Sequence, residues 1–101
     1  MLSANVFADD WSEKTTIKEI VAGYKERIVL FTTTKPHHNP KGCESSYYAI
    51  TEDDADLNLM LSMLLAAQRS GAEIQIGVDS SKCASISHAA GRINVTRIKS
   101  Y

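Results

Sequence analysis

Thr51 to Val78 reads TEDDADLNLMLSMLLAAQRSGAEIQIGV, and within this stretch the hydrophobic period changes from that of a helix to that of a strand. Leu57, Met60, Leu61, Leu64, Leu65 and Gln68 recur three and four positions apart, the spacing that lines one face of an α-helix. Thr51, with Asp54 three residues on, has the form of a capping box, and the acids at 52–54 suit the electropositive start of a helix. Gly71 arrives where a left-handed terminating residue is wanted, so the spacing predicts a helix over about 52–70. Immediately afterwards Glu73-Ile74-Gln75-Ile76-Gly77-Val78 alternates polar and apolar, the mark of a strand with one buried face.

Upstream, Thr16 to Gly23 carries Ile17, Ile20 and Val21, and Ile28-Val29-Leu30-Phe31-Thr32-Thr33-Thr34 is a dense β-branched and aromatic run. These predict two consecutive strands joined by a polar turn at Tyr24 to Arg27. Pro36 to Gly42 has the chemistry of a loop, and Cys43 to Ile50 reads as a third strand in which Tyr47 and Tyr48 face opposite sides. Downstream, Asp79 to Gly91 is a loop containing Cys83 and His88, and Arg92 to Ile98 a final strand whose alternation breaks at Thr96-Arg97, as at a β-bulge. The order is β-β-β-α-β-β. In a domain of this length it predicts a mainly β, α+β fold: a five-stranded Greek-key barrel of the oligonucleotide/oligosaccharide-binding (OB) type, its helix plugging one end. The rival is an α+β sandwich with the helix lying across an open antiparallel sheet.

Two cysteines, Cys43 and Cys83, flank the helix pattern. An even pair in a small domain is expected to form a disulfide, which places the chain in an oxidising compartment; the alternative is two reduced, buried thiols. Met1 to Ala8 reads as the tail of a secretory signal, with Val6 and Ala8 at the positions cleavage requires and Asp9-Asp10 as the mature start; the alternative is an ordinary disordered N-terminus, and either way residues 9–101 are expected to form a single domain. With 44% hydrophobic and 23% charged residues the composition is that of a folded chain, and a net charge of -1 with scattered lysines and arginines argues against nucleic acid as a partner. No apolar run approaches the roughly eighteen residues of a membrane helix, so no membrane insertion is expected.

In this order of elements, over roughly Thr16 to Ile98, the chain resembles the B subunits of bacterial AB-type toxins, most of all from Asp53 onward. It also resembles small exported proteins of Gram-negative bacteria, mostly without assigned roles, that carry an Asn-Pro-x-Gly-Cys turn like Asn39-Pro40-Lys41-Gly42-Cys43. The toxin resemblance implies an exported protein, periplasmic or secreted, that forms a ring, commonly a pentamer, and binds sugars at its rim. In cholera-type subunits the disulfide partner precedes the first strand, whereas here Cys43 opens the third, and none of their sugar-binding residues is matched in this sequence.

Residues with the stacking faces and hydrogen-bonding edges of a sugar site are Tyr48, His38, Asn39 and Trp11, with Tyr24 and Tyr47 as further aromatics. Leu59, Met63 and Ala66 widen the apolar arc of the helix beyond its core stripe; they either tuck under the Pro36 to Gly42 loop or form an oligomer interface. His37 and His38, meeting His88, would make a zinc or copper site, but adjacency is a poor ligand spacing and no metal is expected. No nucleophile-elbow pattern or phosphate-cradling glycine loop is present, and Asp53, Asp54 and Asp56 read as a solvated helix start, so no catalytic residue and no cofactor is assigned. Asn94-Val95-Thr96 matches a glycosylation acceptor in an unsuitable strand setting. The reading is a non-enzymatic binding or assembly module, a B-subunit-like ring former that binds glycans; the alternative is a periplasmic inhibitor or accessory protein docking on another protein, and third a metal-binding or hydrolytic protein using the loop histidines.

Overall fold

A computed structural model describes residues 9–101; the signal-sequence expectation for Met1 to Ala8 lies outside the described residues. The elements are β1 (Asp9–Trp11), β2 (Ile17–Val21), β3 (Ile28–Thr33), β4 (Glu44–Thr51), α1 (Leu57–Ser70), β5 (Ile74–Asp79), a single 3-10 turn (Ser87–Ala89) and β6 (Arg92–Ser100). The fold is mainly β with one α-helix, and its six strands lie in the order β1-β5-β6-β4-β3-β2. Six replaces the expected five because Asp9–Trp11 pairs with β5, Asp9 opposite Asp79 and Trp11 opposite Gly77. A three-residue strand carries no periodic signal; only the open side of β5 makes it one.

Neighbouring strands are antiparallel except β4 and β6, which run parallel. The rival open antiparallel sheet does not include such a pair. The N-terminal segment bonds to β5 and β3 in turn: Thr15 and Ile74 exchange two backbone hydrogen bonds at 2.9 and 2.8 Å, and β2 then pairs with β3.

The sheet is covered on both faces. Val29, Phe31, Tyr48, Ile50, Ile74, Ile76, Val78, Ile93 and Val95 pack with Leu57, Met60, Leu64 and Ala67 of α1, while Ile28, Leu30 and Ala49 pack under Ala84 and Ala89 of the loop after β5. Burial on two sides is why β3 reads as a continuous apolar run rather than an alternation.

α1 starts five residues later than the capping-box reading placed it. Thr51 is the last residue of β4, opposite Ile28, and the chain turns there with Asp54 and Ala55 donating to the Thr51 carbonyl. Strand pairing thus takes the residue the cap needed, and Asp56 caps instead, accepting from the Leu59 N–H at 3.1 Å. At the far end Gly71 adopts φ 72° and donates to the Ala67 carbonyl, as expected of a left-handed cap. Leu65, expected in the core, is 42% exposed: it lies one residue beyond Leu64, a rotation of about 100° that takes it off the stripe that meets the sheet. Gln68 donates to the Lys18 carbonyl at 3.1 Å.

The bulge expected at Thr96-Arg97 is present. One step on β5, from Gly77 to Val78, faces two on β6, from Arg97 to Val95, so Thr96 is the extra residue. It keeps Ile98 on the core side after Ile93 and Val95 and turns Arg97 and Lys99 outward.

Cys43 and Cys83 form a disulfide with their Cα atoms 5.7 Å apart, joining the start of β4 to the loop over the second face. That loop leaves β5 at Asp79. Burial alone would raise the Asp79 carboxyl, but hydrogen bonds from the Ser81 hydroxyl (2.6 Å) and N–H (2.8 Å) outweigh it and hold the group below the usual carboxylate range. Among the described residues no helix is long and apolar enough to cross a membrane.

Candidate functional site

Tyr48, His38 and Asn39 are brought together, but as the anchor of a loop. Tyr48 is 1% exposed and stacks on Phe31 in the core, leaving no ring face for a ligand. Its hydroxyl accepts from the His38 N–H at 2.6 Å, and burial pushes the phenol's pKa up. Asn39 folds back on Cys43, its carboxamide donating to the Cys43 carbonyl and accepting the Cys43 N–H, both at 2.8 Å. Gly42, at φ 82°, closes this Asn-Pro-x-Gly-Cys turn in a conformation that favours glycine, so the motif shapes the entry to β4 and presents Cys43 to Cys83.

The histidines do not converge. His37 lies against Tyr48; its Nε2 accepts from the Thr33 N–H at 3.3 Å, so Nδ1 carries the proton and donates to the Ser45 carbonyl at 2.7 Å. His38 Nε2 meets Asp10 Oδ1 at 2.7 Å, fastening β1 to the loop. His88 stacks on Tyr24, which packs against the second core cluster. Among the described residues no group of three His, Cys, Asp or Glu side chains is placed to hold a metal ion. Asp56 is the helix cap, Asp54 accepts from Asn94 Nδ2 at 3.2 Å, and Asn94 is fully buried in β6.

Trp11 stands apart from the other three. Its half-buried indole lies on the outer side of β5 over Gly77, where a Cβ would come within 3.2 Å of Cη2 and Cζ3 of the ring. Glycine in mid-strand is what lets the ring come this close to the sheet. Around it are residues that sequence reasoning missed: the Lys99 ammonium sits 4.6 Å from the Trp11 ring centroid, and Arg97 is opposite Gly77. Gln75, opposite Lys99, donates to the Ser12 carbonyl at 2.8 Å and accepts from the Tyr101 hydroxyl. Lys14 Nζ lies 4.2 Å from the Tyr101 ring centroid. Two signals were legible in retrospect: a glycine in an alternating strand, and two cations two residues apart after a bulge.

The helix residues singled out beyond the core stripe fall at a second place. Leu59, 58% exposed, and Met63 line an open groove of about 360 Å³ with Met60, Ile98 and the bulge residues, Asp56 and Arg97 supplying its charges. Ala66 is exposed outside it. The groove is made by α1 and β6 and not by the Pro36 to Gly42 loop. Comparison with protein-family models, curated proteins and solved structures finds no match.

Proposed function

We propose that this chain is an exported, non-enzymatic binding module built on an OB-like barrel, that its ligand is a glycan, and that it assembles into a ring through the groove beside α1. The barrel reading is supported by the strand pairing. Counting β1 and β2 as halves of one bent strand, the pairs β2·β3, β3·β4, β4·β6, β6·β5 and β5·β1 form a closed circuit. The helix then lies between the third and fourth strands of five. Export is supported by the disulfide, which persists in oxidising compartments.

The observation that carries the binding role is the Trp11 face. An indole packed against a strand glycine, with an ammonium, a carboxamide and a phenol nearby, offers both apolar contact and hydrogen bonds to a sugar. Glycan-array binding tests the reading: recognition of a sugar structure by the wild type and its loss in Trp11→Ala is expected, and an array with no bound glycan refutes it. For assembly, sedimentation is expected to find an oligomer that Leu59→Glu dissociates; a wild-type monomer at tens of micromolar removes the ring.

A further inference from the structure

The sign of charge around Trp11 goes further than the aromatic ring does. The bulge at Thr96 turns positions 97 and 99 of β6 to the outer side, and Tyr101, just beyond the strand, bonds to Gln75 there. Arg97 and Lys99 occupy the first two, and Lys14 lies over the ring of Tyr101 at the third. Same-face positions of a strand recur about every 6.5–7 Å, so positions 97, 99 and 101 form a row spanning about 13–14 Å; Lys14 joins it over the Tyr101 ring, and the Arg97 guanidinium, which donates to the Thr96 carbonyl at 2.6 Å, also lines the α1 groove. None of the three cations makes an ion pair among the described residues, whereas Arg27, Lys35, Lys82 and Arg92 each have a carboxylate. Glu73, whose carbonyl accepts the Tyr101 N–H, is the acid adjoining the row's end.

We infer that this face takes a polyanionic glycan, a chain bearing sulfate or carboxylate groups on successive sugars, one acidic group to each cation of the row. The inference rests on the glycan reading above and names its ligand class. A row matches repeated charge better than one terminal acid, since a single acid would leave the other cations unanswered. Lys99 also couples charge to contact: its ammonium covers the indole, and an anion that draws the flexible lysine stem aside opens the ring to the sugar beneath. A nucleic acid would offer repeated charge as well, but the disulfide favours a polysaccharide met outside the cytosol.

Trp11 is the chain's single tryptophan, so its emission reports on this face alone. The full chain is titrated with a heparin-type sulfated oligosaccharide, a neutral maltooligosaccharide of the same length, and oligothymidylate. Saturable change with the sulfated sugar is expected, weakening at least about tenfold between about 0.05 and 0.5 M sodium chloride. Lys99→Gln and Arg97→Gln are each expected to weaken it about five- to tenfold, Glu73→Gln to tighten it, and Lys25→Gln, in the turn between β2 and β3, to leave it unchanged. Equal binding of the neutral sugar overturns the charge inference and spares the glycan reading. Binding of neither sugar in this titration overturns the inference; the glycan reading itself stands or falls on the array. Oligothymidylate binding as well as the sulfated sugar, or Lys25→Gln weakening it as much as Lys99→Gln, replaces a glycan site with nonspecific charge.

Discussion

Removing the Cys43–Cys83 bridge, by reduction or by the Cys43→Ala/Cys83→Ala pair, tests what holds the loop over the second face. The cysteines are 40 residues apart in sequence, and the chain-entropy relation for a closed loop of that length gives about 4 kcal/mol at 25 °C. A small domain commonly has about 5–15 kcal/mol in all, so the loss takes a large share. With a urea dependence of about 1–2 kcal/mol/M, the unfolding midpoint is expected to fall by about 2–4 M. The native state should loosen first at 80–91, where Ala84 and Ala89 cover Ile28 and Leu30, and amide exchange there should accelerate before exchange in β5. The reasoning fails if the midpoint moves by less than about 0.5 M: the loop would then be held by its own contacts, among them the Ala84–Arg92 and Gly91–Ala84 backbone bonds at 2.8 and 2.7 Å.

Leu64→Ala empties a fully buried position between α1 and the sheet and is expected to cost about 2–5 kcal/mol in denaturant melts. Gly77→Val places a side chain where the Trp11 ring lies, so the indole must move outward; a red-shifted emission and a loss of about 1–3 kcal/mol are expected, and an unchanged spectrum contradicts the packing. Asp79 has a native pKa below its ordinary 3.8, so it contributes stability above that value that is lost as pH falls through the lowered one. Urea melts across acid pH should therefore be flatter for Asp79→Asn than for the wild type.

Much of this architecture follows from local pattern. Three- and four-residue spacing in 57–67 finds its buried stripe, Ile74, Ile76 and Val78 alternate because one face of β5 is buried, and the break at Thr96 marks the extra residue in β6. These signals survive because each states which side of an element leaves water. The cysteine pair was legible for a different reason, that an even count in a small chain restricts what two thiols do.

Other features depend on partners distant in sequence. Thr51 forms a good capping box on paper, yet pairing with Ile28 keeps it in β4 and passes the cap to Asp56. Asp9–Trp11 becomes a strand only where β5 offers unpaired backbone groups. Tyr48 and Tyr47 were expected on opposite sides, but which of them enters the main core is set by α1 covering one face and the 80–91 loop the other. The Trp11 face is assembled from residues 11, 14, 75, 77, 97, 99 and 101, which meet only through strand register and the bulge. By itself the sequence determined the period of each element and the glycine cap that ends α1, since these are short-range consequences of side-chain chemistry. Tertiary structure decided which faces meet, and so where the candidate site lies, because backbone pairing and burial across the sheet depend on residues far apart in the chain.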